Sequence, residues 1–201
     1  DTRTTVYYVT DVEQQGQYIK MFKEQDMNAV ILDHHIDTSF ISQLEQRNEN
    51  YKFTRIDADV TDSLVEETSD DELKDTTDAL SEIFKKALSK DDLDVKVAKF
   101  KNKDVASMLT VSEESRRMQD MMRMYNMYGM DASAFPTSST LVLNVNNELV
   151  QYVLNNKEDD NVELFCKQLY DLASIANAPL PPEEMTEFIA RSNKIMMMLM
   201  K

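Results

Sequence analysis

Three short apolar runs separated by two amphipathic stretches occupy the beginning of the chain, and this alternation restricts the fold more than any other feature. Residues 6–9 (VYYV) are β-branched and aromatic, residues 29–32 (AVIL) form a continuous apolar run of the kind buried in parallel sheets, and residues 51–56 (YKFTRI) make a third strand. Thr10 and Asp11 are placed to cap a helix over residues 12–25, and Asp37-Thr38-Ser39 opens a second helix that reaches about Gln46. The resulting order, β-α-β-α-β, predicts a small α/β layer with a parallel sheet and right-handed crossovers.

The pattern then changes. Residues 57–78 are rich in Asp, Glu, Ser and Thr and read as a solvated linker, which puts a domain boundary there and divides the chain into 1–72 and 73–201. A helix is expected over residues 77–88, short strands over 95–100 and 105–109 joined by a polar turn at 101–104, a strand over 141–145, and a short helix over 147–154 capped by Asn146 or Asn147. The whole is α+β, with the α/β unit followed by a mixed α/β domain. Two helices close the chain around the turn PLPP at 179–182. The first sets Val162, Phe165, Leu169, Leu172 and Ala176 on one side, and the second sets Met185, Phe188, Ile189, Ser192, Ile195, Met196 and Leu199 on another. This hairpin carries more apolar area than it can cover by itself. A second copy would bury it as a four-helix bundle, giving a homodimer; the alternative is that the hairpin folds back on its own small sheet.

Residues 112–130 (SEESRRMQDMMRMYNMYGM) hold much of the chain's methionine. On a helix, Met118, Met121, Met122 and Tyr125 make one apolar face, widened by Met124, Met127 and Tyr128. Glu113, Glu114, Arg116, Arg117, Asp120 and Arg123 fill the polar side, Glu113 and Arg117 pair at i,i+4, and Gly129 is placed as the stop. Methionine is unbranched and polarisable, so such a face adapts to many partner shapes. The same stripe is also what a buried core helix presents, and the residues alone leave both readings open.

The formal charge of −15 argues against nucleic acid and anionic membrane as partners and favours polypeptide. Two glycines in 201 residues leave no glycine-rich phosphate loop. The single cysteine, Cys166, allows no internal disulfide and is expected to be a buried, inert thiol; with no membrane span and no leader pattern, a cytoplasmic location is expected. A chain beginning at Asp1 suggests a piece of a longer protein. For chemistry, the one cluster is Asp33-His34-His35-Ile36-Asp37 at a strand end. Its adjacent histidines point to opposite sides and match no ligand spacing, so an exposed or structural role is expected and no metal site is assigned. Asp57 and Asp59 are expected to be solvated, and no catalytic residue is assigned.

The stretch YYVTDVEQQGQYIKMFKEQDMNAVILDHHIDTSFISQLEQ (7–46), followed by YKFTRIDADV (51–60), closely resembles the end of the middle domain of bacterial HtpG-type chaperones of the heat-shock protein 90 family. The rest is similar, in element order, to that family's C-terminal dimerisation domain. The resemblance implies part of an ATP-dependent, homodimeric chaperone. It implies a dimer bundle that uses Leu169, Leu172, Phe188, Ile189, Ile195 and Leu199 together with the neighbouring Phe165. It also implies a client-binding helix whose matching face includes Met121, Met124 and Tyr125, with Met118 and Met122 beside them, directed at unfolded or partly folded protein. The family's nucleotide-binding domain and the arginine that completes its ATPase site are not matched, so no enzyme activity and no cofactor are expected here; ATP and magnesium belong to the full-length member. The ending IMMMLMK does not match the MEEVD tail that recruits tetratricopeptide-repeat co-chaperones. The rival reading is a small α/β ligand- or metal-binding enzyme domain, with its site at His34–Asp37 and an oligomerisation appendage.

Overall fold

The computed structural model describes residues 3–34, 36–60, 62–118 and 139–200. The chain is mixed α/β and divides into two compact units, Asp1–Thr61 with Thr110–Ser139, and Asp62–Leu109 with Thr140–Lys201.

The first unit carries the alternation read from the sequence: β1 (Thr4–Val9), α1 (Gly16–Glu24), β2 (Val30–Ile31), α2 (Asp37–Arg47) and β3 (Tyr51–Arg55). The strands form a sheet in the order β2-β1-β3, and β1 runs parallel to both neighbours, Tyr8 opposite Val30 and Arg55. Tyr8, Val9, Tyr18, Met21, Phe22, Ile41 and Ile56 are buried between the sheet and its helices, and Tyr7 meets Phe22 edge-on with ring centroids 5.0 Å apart. Two local expectations change. Helix α1 starts at Gly16, because the Asp11 carboxylate accepts the N–H groups of Glu13 and Gln14 in a preceding turn, while the Gln15 side-chain oxygen accepts those of Thr10 and Asp11. The run AVIL yields only two strand residues. Both are exposed, Ile31 at 59%, because β2 is an edge strand rather than a buried central one.

In the second unit the expected linker is largely structured. Leu64, in a 3-10 turn (Asp62–Leu64), is buried; Val65 bridges to Phe100, and Glu66 N–H donates to Lys99 O at 2.8 Å. Helix α3 runs Asp70–Leu88, starting well before residue 77, with Ser69 as N-cap accepting from Glu72 N–H. Then follow β4 (Asp94–Ala98), β5 (Ser107–Val111), β6 (Ser139–Asn144), α4 (Glu148–Asn155) capped by Asn147, α5 (Val162–Asn177) and α6 (Pro182–Met198). The sheet order is β4-β6-β5, with β4 and β6 parallel. Leu80, Phe84, Leu141, Leu143, Val150, Val153, Cys166 and Leu169 are the centre of its core.

Asn144, at the end of the central strand, is wholly buried and uses both ends of its amide. Its oxygen accepts the N–H groups of Phe100 and Asn146, each at 3.0 Å, and its nitrogen donates to the carbonyls of Asn102 at 3.1 Å and Val105 at 2.7 Å. One side chain thus satisfies the backbone where the β4–β5 and β6–α4 connections meet. Asn144→Asp keeps the shape but turns a carboxylate oxygen toward two carbonyls; it is expected to cost about 3 kcal/mol or more. A urea titration of the two proteins checks this, and an unchanged midpoint would remove Asn144 from that role.

Candidate binding surfaces

The methionine-rich stretch is described only at its beginning, where residues 113–118 are helical; Met121, Met122, Met124, Tyr125 and Gly129 lie outside the described residues. Within 113–118 the polar side is the packed side. The Glu113 carboxylate accepts from the Tyr8 hydroxyl at 2.7 Å, from Arg117 Nε at 2.8 Å and from Arg55 N–H at 2.8 Å. Arg117 also grips Glu45 of α2, with Nη1–Oε2 at 2.5 Å, and donates to the Phe53 carbonyl of β3 at 3.1 Å. Burial opposes ionisation of Glu45, but hydrogen bonds from Arg117 and from Phe53 N–H outweigh it and hold the carboxyl below its ordinary range. Burial, and then Glu113, push the Tyr8 phenol up, so it remains a neutral donor.

Behind this lies a second ion pair. Arg55 takes Asp57 in a bidentate grip, Nε–Oδ1 at 2.7 Å and Nη2–Oδ2 at 2.8 Å, and Arg116 Nη2 stands 3.5 Å from the same carboxylate. All three side chains are buried, so Asp57 is not the solvated carboxylate expected; Asp59 is exposed. Burial alone would raise the Asp57 carboxyl, but the hydrogen bonds and charge of Arg55, and then the charge of Arg116, hold it below 3.8.

With Glu113, Arg116 and Arg117 turned toward the sheet, Glu114 and Met118 are left exposed. Met118 is 40% exposed and, with Phe53, Arg117, Glu114 and Lys52, lines an open cleft of about 530 Å³. The inversion is physical: guanidinium and carboxylate groups can satisfy backbone groups of β3 and Met cannot, so the arginines take the inside.

In the second unit, the residues buried on α5 are Val162, Cys166, Leu169 and Ala173. Leu169 therefore lies in its own chain's core, and Phe165 packs edge-on against Tyr152, ring centroids 5.2 Å apart. Leu172 is 47% exposed. Helix α6 buries none of its residues: Phe188 and Ile195 are half-buried, Ile189 is 52% exposed and Leu199, its C-cap, 84%. What joins α6 to α5 is mainly polar, with Arg191 bonded to Gln168 and Asp171 and Gln168 to Ser192.

The family model described as Hsp90 protein matches residues 1–201. The chain belongs to the Hsp90 family. It is 31% identical over 169 residues to the chaperone protein HtpG of Bacteroides fragilis strain 638R, covering 80% of this chain and 24% of that protein. It is 30% identical over 160 residues to HtpG of Bacteroides thetaiotaomicron, covering 75% and 23%, and 29% identical over 168 residues to HtpG of Porphyromonas gingivalis strain W83, covering 79% and 24%. This Hsp90 chain spans about a quarter of the length of the curated relatives it matches. The similarity to HtpG-type chaperones agrees with the resemblance read from residues 7–60.

Elsewhere in this Hsp90 chain, Asp33, His34 and Asp37 offer ligand atoms within 4.8 Å of one another; His34 Nδ1 is 2.7 Å from Asp33 and 3.9 Å from Asp37, with His34 and Asp33 exposed. His35 lies outside the described residues. Cys166 is buried, and burial, then Glu163, push its thiol up to about 12, which leaves it protonated and unreactive near neutrality. Among the described residues no helix is long and apolar enough to cross a membrane.

The Arg55–Asp57 pair has a pH signature. Because the folded carboxyl titrates below 3.8, the pair's contribution is complete above about pH 5 and is lost as pH falls through and below 3.8. Asp57→Asn leaves two buried arginines without their counter-charge and is expected to cost about 3–5 kcal/mol near neutrality. The difference between wild type and variant shrinks in acid. Urea midpoints at pH 7 and pH 3 check both parts, and a difference independent of pH would refute the linkage.

Proposed function

We propose that this chain is the dimerisation and client-binding end of an ATP-dependent chaperone, with residues 1–72 the last part of a middle domain and 73–201 the dimerisation domain. The observation that carries the client-binding reading is the inverted helix start: Arg116 is buried and Glu113 and Arg117 are half-buried, whereas Met118 faces outward into an open cleft. A core helix would present the opposite arrangement. By sequence spacing, Met121, Met122 and Tyr125 would continue the face of Met118 on a helix, and Met124 would widen it. Such a surface takes apolar segments of unfolded or partly folded protein without demanding one sequence, since thioether chains repack at small cost.

The dimer reading is supported by Leu172, Ile189 and Leu199, which are left exposed on α5 and at α6, with Phe188 and Ile195 half-covered between them. A second copy is the partner that matches a self-complementary helical hairpin, and a four-helix bundle is the arrangement that covers it. ATP and magnesium chemistry is assigned to other parts of longer family members, and no catalytic residue is assigned here. The charge of −15 disfavours nucleic acid and anionic membrane as competitors for the methionine face.

Changing Met121 and Met124 together to serine is expected to weaken binding of reduced, carboxymethylated lysozyme by about tenfold, the equivalent of removing two partly buried thioether chains from a contact. Fluorescence anisotropy with labelled lysozyme measures it. Unchanged affinity would take client binding away from this face.

A further inference from the structure

The open edge of β3 is closed by side chains that also hold the start of the methionine segment. Thr4 N–H donates to Asn50 O at 2.8 Å and Ile56 N–H to Tyr8 O at 3.0 Å, so by the alternation of a parallel ladder residues 50, 52, 54 and 56 turn their backbone groups toward β1. Phe53 and Arg55 then turn theirs to the edge that has no strand partner among the described residues. There Phe53 N–H donates to Glu45 Oε1 at 2.6 Å, Phe53 O accepts from Arg117 Nη2 at 3.1 Å, and Arg55 N–H donates to Glu113 Oε2 at 2.8 Å. An exposed strand edge needs such covering, and here ionised side chains supply it.

We infer that Arg117 is a positioning residue for client binding at Met118: it locks residues 113–118 to the edge of β3 and so sets how Met118 is presented. The inference rests on the reading of that face given above. Arg117 joins α2, β3 and Glu113 of the same helix start. Its Nε reaches Glu113, its two Nη atoms reach both Glu45 oxygens, and Nη2 also reaches the Phe53 carbonyl. A planar fork with five donors spans these acceptors at once, whereas an ammonium would reach one or two. Met118 belongs to the same cleft wall as Arg117 and Phe53, one residue beyond the lock. The Arg117 guanidinium therefore links α2, β3 and the helix start next to Met118, beside the ties that Glu113 makes to Tyr8 and to Arg55 N–H.

The test compares Arg117→Gln, Arg117→Lys and Met118→Ser in the whole chain by amide hydrogen exchange of residues 51–55 and 113–118, and by binding of reduced, carboxymethylated lysozyme. For Arg117→Gln we expect exchange at Phe53 and Arg55 about tenfold faster and lysozyme binding about tenfold weaker. Arg117→Lys should fall between it and wild type in both, and Met118→Ser should weaken binding without altering exchange. If Arg117→Gln leaves exchange unchanged, or speeds exchange while binding holds and Met118→Ser still weakens it, the positioning role is overturned and the methionine face stands. If neither Met118→Ser nor Arg117→Gln affects binding, the reading of the face itself fails, and this inference with it.

Discussion

The first unit depends on how β3 satisfies its outer edge. A three-stranded parallel sheet in the order β2-β1-β3 has two open edges, and that of β3 carries backbone donors and an acceptor that must be met. Glu45, Glu113 and Arg117 meet them, with the Asp57–Arg55 pair buried behind. Once these charges are committed to the sheet, Met118 is left on the exposed side. The exposure of Met118 is thus the counterpart of a capped strand edge.

The second unit shows the same economy at a different scale. Its core is closed by α3, α4, α5 and the sheet, with Phe84, Leu141, Leu143 and Leu169 fully packed. Nothing in that core comes from residues beyond Ala173. Helix α6 adds polar ties through Arg191 and Gln168 but buries no side chain, so its apolar residues contribute little to the stability of one chain. A helix with that much uncovered surface makes sense physically only when something else covers it.

Much of this was legible in the sequence where local pattern decides structure. The β-α-β-α-β order, an asparagine cap at 146 or 147, the buried cysteine and the two terminal helices all follow from spacing and composition. What escaped depends on partners far along the chain. Asn144 reads as an ordinary strand-end residue until residues 100, 102 and 105 converge on it. Asp57 looked solvated because acids follow it; the chain turns just after β3, where Ala58 N–H donates to Arg55 O, and that turn brings the Asp57 carboxylate onto the Arg55 guanidinium. The early start of α3 had a signal too, since Ser69-x-x-Glu72 has capping-box spacing and Ser69 accepts the Glu72 N–H. Leu169 and Leu172 share one apolar stripe by periodicity, and only packing separates the buried one from the exposed one.

The central claim is that the face left open by α5 and α6 is closed by a second copy. Sedimentation equilibrium on the intact chain and on a chain ending at Ala178 tests it most directly, because the truncation removes α6 while leaving every core residue of the second unit in place. The account predicts a dimer that becomes a folded monomer on truncation. An intact chain that stays monomeric at every concentration would contradict it.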